Sequence, residues 1–382
     1  MFNTQRRVLA WTLAGALAFG LTGAARAEPG VTDTEILIGQ SLGLTGPLAE
    51  LTLDISNGAR AYVDAVNSRG GIHGRRLRLI TLDDGYQVPN TVRNVEQFIE
   101  RDKVFALLNV TGTPNCEAIL PTVKSRLVPF FAPFTGAAST RTPRIENVFN
   151  IRAGYRDETE KLVQHLHTIG SHKIAVLYQA SSFGMDGLAG VEAAMAQRGI
   201  KALATASIES NAADVASSVA ALVDAKPEAI IMITAGRPTV DFIKAYRKVS
   251  RGTQFYTLSV MGTNANIKAL GSDGVGVVVA SVVPFPWTQS LALVKEYQAA
   301  MQKIGLNEYS FVSFEGYINA RVLGEAIERA GRGLTRDGLT KAAEGMTQVN
   351  LGGFNVRFGK DSRQASRYVE LTIIGSNGKF IK

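Results

Sequence analysis

The chain is poor in the residues that build cross-links and metal sites. Cys116 is the single cysteine in 382 residues, which excludes an intramolecular disulfide and a zinc site built on cysteine thiolates. Histidine is scarce too, with four in all. His165 and His167 are two apart and so point from different helix faces, unlike the four-residue spacing of a metal-binding H-E-x-x-H pair. His73 sits in a Gly-Gly turn. Neither a G-x-G-x-x-G stretch nor a Walker pattern is present, so the phosphate-cradling loops of nucleotide enzymes are missing. The densest basic cluster, Arg75, Arg76 and Arg78, has no interleaved aromatic residues and reads as a solvated strand end rather than a nucleic-acid surface. No catalytic residue, no metal and no cofactor is expected.

Long apolar runs are also lacking, apart from one at the N-terminus. Arg6 and Arg7 precede the uncharged run Val8–Thr22, and Ala25-Arg26-Ala27 follows. This three-part pattern is a secretory signal peptide, residues 1–27, with cleavage expected after Ala27 and periplasmic delivery. The run is shorter than the ~20 residues that span a bilayer, and no cysteine follows it for a lipid anchor. The formal charge of +8 includes Arg6, Arg7 and Arg26, with no acid before residue 28, so the exported chain carries +5. Its 355 residues exceed what one growing core accommodates, which favours two lobes.

What the chain does have is one repeated grammar. Short Val/Ile/Leu-rich runs fall at Glu35–Ser41, Arg76–Leu82, Val104–Val110, Val128–Phe131, Lys173–Tyr178, Ala229–Thr234 and Val275–Val283. They barely alternate, as expected of strands buried on both faces of a parallel sheet. Between them lie helical stretches, such as Ile55, Ala59, Tyr62, Val63 and Val66 at spacings of three and four. Strand and helix in alternation predict a doubly wound α/β architecture, one series over 35–135 and a fresh one from Lys173. Ligands of such sheets bind beyond the carboxyl ends of the strands. There the chain places Leu42–Pro47, Thr111–Asn115 and Pro133–Ala137. Each pairs glycine with threonine and precedes a helix, a combination suited to a carboxylate.

The ordered set Leu44-Thr45-Gly46-Pro47, Asn57-Gly58-Ala59, Val66-Asn67, Gly70-Gly71-Ile72, Gly74-Arg75, Asp83-Asp84, Pro129, Pro133, Arg152, Ile174-Ala175-Val176 and Phe183-Gly184 resembles the leucine/isoleucine/valine-binding protein family. Its members are the substrate-binding subunits of branched-chain amino-acid type ABC importers. The resemblance implies a type I periplasmic-binding fold, two lobes that close on a ligand, with crossovers near 150–154, 281–285 and 353–357. The N-terminal lobe would then comprise 28–152 plus 284–354, and the C-terminal lobe 153–283 plus 355–382. It further implies a ligand carboxylate held by Thr113, Phe134, Thr135 and Gly136, and an aromatic contact from Phe183. The family's tyrosine and acid for the ligand ammonium would fall on Gly236 and Ser259, where the pattern breaks. A buried ammonium without its acid is costly, unless Asp186 substitutes. The expected ligand is therefore a small carboxylate, an amino acid or an aromatic or aliphatic acid. The expected partner is an ABC permease of the inner membrane, and the chain is expected to be a monomer.

Phe285 and Trp287 are further candidates for lining the cleft, and Tyr86 and Gln87 are undecided. Two other readings compete. A sensing receptor subunit of the same fold would present its closed form to a receptor. A hydrolase would use Ser41 in the G-x-S-x-G match Gly39–Gly43, but a nucleophile elbow turns directly into a helix and needs a histidine after its acid.

Overall fold

A computed structural model describes residues 28–382, so the signal peptide expected over 1–27 lies outside the described residues. The first series runs β1 (Glu35–Leu42), α1 (Ala49–Asn67), β2 (Arg76–Asp83), α2 (Val88–Glu100), β3 (Ala106–Leu108), α3 (Thr113–Ser125), β4 (Phe130–Phe131) and β5 (Val148–Phe149). These strands form one parallel sheet in the order β2-β1-β3-β4-β5. The expected strand Val104–Val110 is shortened to three residues, because Asn109 adopts φ 58° and turns the chain out of the sheet.

The chain then enters a second series. It comprises α4 (Tyr155–Thr168), β6 (Ile174–Gln179), α5 (Ser182–Ala196), β7 (Thr205–Ile208), α6 (Val215–Val223), β8 (Ala229–Ile233), α7 (Arg237–Val249), β9 (Gln254–Thr257), α8 (Asn264–Leu270) and β10 (Val278–Ser281). Every residue of β8 is buried, as a central strand covered by helices on both faces must be. After β10 the chain returns to the first lobe as α9 (Ala292–Lys303), α10 (Phe311–Ala330) and α11 (Arg336–Glu344). Ser310 at the head of α10 donates to Asp54 of α1 at 2.6 Å, and Arg336 donates to the carbonyls of Val104 and Phe105.

A hairpin of β11 (Val349–Asn350) and β12 (Asn355–Val356) follows, where the third crossover is expected. The chain there still belongs to the first lobe: Ala365 donates to the Asn150 carbonyl at 2.8 Å, beside the first crossover. It joins the second sheet only as β13 (Glu370–Ile374), antiparallel to β10, and β14 (Phe380–Ile381). The second sheet is therefore mixed, in the order β14-β13-β10-β9-β8-β6-β7. Its last two strands were not foreseen, since the parallel β-α grammar carries no signal for a terminal hairpin. Three crossings join the lobes, and all the loops flagged above lie at strand carboxyl ends. Among the described residues no helix is long and apolar enough to cross a membrane.

Candidate functional site

Two of those loops meet in the first lobe. Thr113 opens α3 behind Gly112, so its hydroxyl and the unpaired amides of the first helical turn point out beyond the sheet. Its Oγ1 lies 2.7 Å from Thr135 Oγ1. Thr135 Oγ1 also accepts from the Ala137 amide at 3.1 Å. The β3 and β4 loops are tied directly, because the Phe134 amide donates to the Val110 carbonyl at 2.9 Å. Gly136 leaves room for a ring: a Cβ there would lie 2.4 Å from the Tyr155 ring. Both threonines are fully buried.

Beyond them lies an apolar wall contributed by both lobes. Thr113, Phe134, Tyr86, Leu48 and Leu51 of the first lobe and Tyr155, Phe183, Ala235 and Val260 of the second line one cavity of about 20 Å³. Its volume is that of a single water, so an organic ligand enters only when the lobes part. Tyr155 and Phe183 pack with ring centres 5.1 Å apart. No carboxylate lines this cavity.

The sequence-flagged residues thus divide. Thr113, Phe134 and Phe183 line the cavity, and Thr135 and Gly136 stand directly behind it. Gly236 does not line it; it caps α7 and lets the Pro47 carbonyl of the opposite lobe approach. Ser259 does not line it either. Its amide and hydroxyl donate to Glu158 at 2.8 and 3.0 Å, and its Oγ accepts from Arg152. Asp186 does not line the cavity: its Oδ1 accepts from the Ala138 amide across the cleft at 3.0 Å, and its buried Oδ2 has no partner among the described residues. Phe285 and Trp287 lie elsewhere, in a separate groove, because the second crossover carries them past the hinge. Thr45 is tied to Asp83 at 2.7 Å. Tyr155, Leu48, Leu51 and Val260 escaped the sequence reading; the one signal was Tyr155's place immediately after the first crossover.

Beneath the cavity the crossover is highly charged and buried. Arg152 lies with its guanidinium 5.0 Å from the Phe134 ring centre, 3.3 Å from Glu158 of α4 and 3.7 Å from Glu315 of α10. Burial works against its charge, but Glu315 and Glu158 outweigh it and hold the guanidinium above its usual value. Arg141 donates to the carbonyls of Thr135 and Ala137 at 3.1 and 2.9 Å; burial, with Arg152 beside it, brings it down to about 10. Burial pushes Glu315 up to about 7 and raises Glu158 as well. The loop carrying Thr135 therefore rests on two buried cations.

Ser41 is no elbow nucleophile. It sits within β1 and donates to Asp84 at 2.7 Å, while Thr91 donates to the same carboxylate at 2.9 Å. Asp83 and Asp84 end β2 and organise the loops above it rather than forming a metal pair. Among the described residues no cluster of His, Cys, Asp and Glu could hold a metal. Cys116 is buried, and that burial pushes its thiol up.

The arrangement of two doubly wound lobes, three crossings and a cleft at the strand ends has counterparts among known proteins. Residues 35–379 match the periplasmic binding protein family model. The chain belongs to that family. It is 24% identical over 353 residues to the Leu/Ile/Val-binding protein homolog 7 of Brucella suis, covering 85% of this chain and 82% of that one. Among solved structures, a substrate-binding periplasmic protein from Ralstonia solanacearum superposes with TM-score 0.85 at 34% identity, covering 91% of this chain and 99% of that one. A "possible leucine/isoleucine/valine-binding protein" from Rhodopirellula baltica gives TM-score 0.87 at 30% identity, covering 91% and 96%. The fold is the type I periplasmic-binding fold, and the family's members are periplasmic substrate-binding proteins rather than enzymes.

Proposed function

We propose that this chain is the substrate-binding subunit of an ABC importer, exported by cleavage after Ala27, that closes on a small monocarboxylate bearing an aromatic or branched aliphatic body and no α-amino group. The observation that carries this reading is the lining of the cleft cavity. Thr111, Gly112 and Thr113 at a helix N-terminus stand at one end with Thr135 behind them, aromatic and aliphatic residues make up the rest, and no acid lines it.

A carboxylate would take the place of the bond between Thr113 and Thr135, receiving both hydroxyl protons and an amide of the first turn of α3. Charge-assisted bonds of this kind are roughly twice as strong as neutral ones. The Arg141 cation, bonded to the Thr135 and Ala137 carbonyls, favours the same sign, whereas Arg152 is offset by Glu158 and Glu315. An α-ammonium would face Phe134, Tyr155 and Phe183 with no carboxylate partner, and burying it unpaired is unfavourable. Closure follows because the second lobe contributes Tyr155, Phe183, Ala235 and Val260, so a ligand gains those contacts only in the closed form. The closed form is the one an inner-membrane permease would recognise.

The test is a thermal-shift screen of the chain from Glu28 onward against amino acids, aromatic acids, branched fatty acids and dicarboxylates. A ligand at 100 times its Kd stabilises by about 2.7 kcal/mol. Stabilisation by monocarboxylates and not by their α-amino counterparts is expected. Stabilisation by α-amino acids alone would overturn the reading.

A further inference from the structure

The second crossover ends in a cluster of rings that the cleft does not use. Phe285 and Trp287 pack with centres 4.8 Å apart, Trp287 meets Phe311 at 5.1 Å, and Phe380 of β14 lies 5.7 Å from Trp287. Phe311 and Phe380 are buried, whereas Phe285 and Trp287 each keep an open side. That side faces a groove of about 880 Å³, within the ~300–1,000 Å³ of small-molecule sites. It shares no lining residue with the cleft cavity.

The groove's walls belong to different lobes. Phe285, Trp287 and Tyr309 come from the return into the first lobe, and Ile267 of α8 and Phe380 from the second. Asn264 of α8 donates to the Tyr309 carbonyl at 3.0 Å and closes one end. Of the three charged residues on the lining, two are cationic. Lys268 and Lys379 line it, and neither makes an ion pair among the described residues. Lys382 lies 5.8 Å from the Phe285 ring centre, although Glu370 pairs with it at 3.2 Å. Glu308 is the one acid on the lining.

We propose that this groove is a second ligand site, and that it takes a small amphipathic anion: a flat apolar body against Trp287 and Phe285, with a single carboxylate or sulfonate between Lys268 and Lys379. Aromatic faces supply the area, and two unpaired ammonium groups supply the charge complement that a neutral or cationic ligand would not exploit. A ligand held there touches both lobes at once.

Trp287 is the only tryptophan after Trp11, so in the chain from Glu28 onward it reports on the groove alone. The probe is 8-anilinonaphthalene-1-sulfonate, titrated while Trp287 emission is followed. The expected result is saturable quenching of Trp287 by energy transfer, reversed by octanoate and not by octylammonium. The double variant Lys268→Glu/Lys379→Glu, altered only at exposed positions, should bind the probe at least tenfold more weakly, while Thr113→Val in the cleft leaves probe binding unchanged. Equal binding by the charge-reversed double variant would overturn the proposal. So would displacement by octylammonium as readily as by octanoate, or loss of probe binding in Thr113→Val.

Discussion

The Pro47 carbonyl of the first lobe stands against Gly236 of the second, and a Cβ on Gly236 would lie 2.7 Å from that oxygen. Gly236 has φ 63° and ψ −133°, a combination essentially restricted to glycine. The absence of a side chain thus serves two ends, the turn into α7 and the approach of the lobes. Gly236→Ala is expected to lose about 1–3 kcal/mol of stability from backbone strain. It should also weaken ligand affinity at least tenfold, because the added methyl opposes closure. Denaturant unfolding and calorimetric titration measure the two effects separately. A stability loss with unchanged affinity would show that this contact plays no part in the bound form.

Thr113 and Thr135 are paired to each other at 2.7 Å at the base of the cavity, where each can turn its proton to a carboxylate. Thr113→Val keeps the shape and removes the hydroxyl. A hydrogen bond to a charged group contributes about 1.5–3 kcal/mol, so the acid found in the thermal-shift screen should bind roughly 10- to 100-fold more weakly. The corresponding primary amide, which carries no charge, should lose less. Calorimetry on both ligands, with the melting temperature of the free variant as a control, checks this.

Much of this molecule was legible because its local rules are consistent. The non-alternating runs that became β1, β2, β6 and β8 announced buried parallel strands, and the loops following β3 and β4 lie, as expected, at the strand ends, where they bring Thr113 and Thr135 together. Pairing across the cleft was not legible. Tyr155, Leu48 and Val260 meet only because the lobes close on each other, and no sequence spacing encodes a distance between lobes. Ser259 shows the same limit from the other side. A position that the family resemblance places at the ligand is instead occupied with Glu158 and Arg152, and only the fold reveals that competing partner. Phe285 and Trp287 looked like cleft aromatics from their place beside a crossover, yet the turn after β10 directs them into the other groove.

Asp186 holds the lobes together from the opposite side of the cleft, its Oδ1 accepting from the Ala138 amide at 3.0 Å. An Asn would preserve that acceptor and an Ala would remove it. Asp186→Ala should therefore shift the population toward the open form, seen as a larger radius of gyration in solution scattering, and weaken the cleft ligand about tenfold. Asp186→Asn should behave nearly as the parent. An equal effect in both variants would mean that the charge, rather than the hydrogen bond, matters there.

Glu315 gives the hinge a pH dependence whose sign is fixed by its burial. Its carboxyl is pushed from 4.5 up to about 7, chiefly by desolvation, with Arg152 opposing and Glu158 reinforcing the shift. Between those two values the folded chain holds a proton that the unfolded chain has released, so stability falls as pH rises. The group imposes no penalty below pH 4.5. Above pH 7 it imposes its full one, about 3 kcal/mol for that difference in pKa. Asp54, raised to about 6 by burial, adds to the same downward slope. Glu315→Gln keeps the shape beside Arg152 and removes the titration. It should be more stable than the parent at pH 8 and equally stable at pH 4.5, with a shallower slope remaining between them from the other carboxyls that burial raises, Asp54 and Glu158 among them. Denaturant unfolding at half-unit pH intervals decides this: a slope unchanged by the substitution would mean that Glu315 is ionised throughout, held by Arg152 despite its burial.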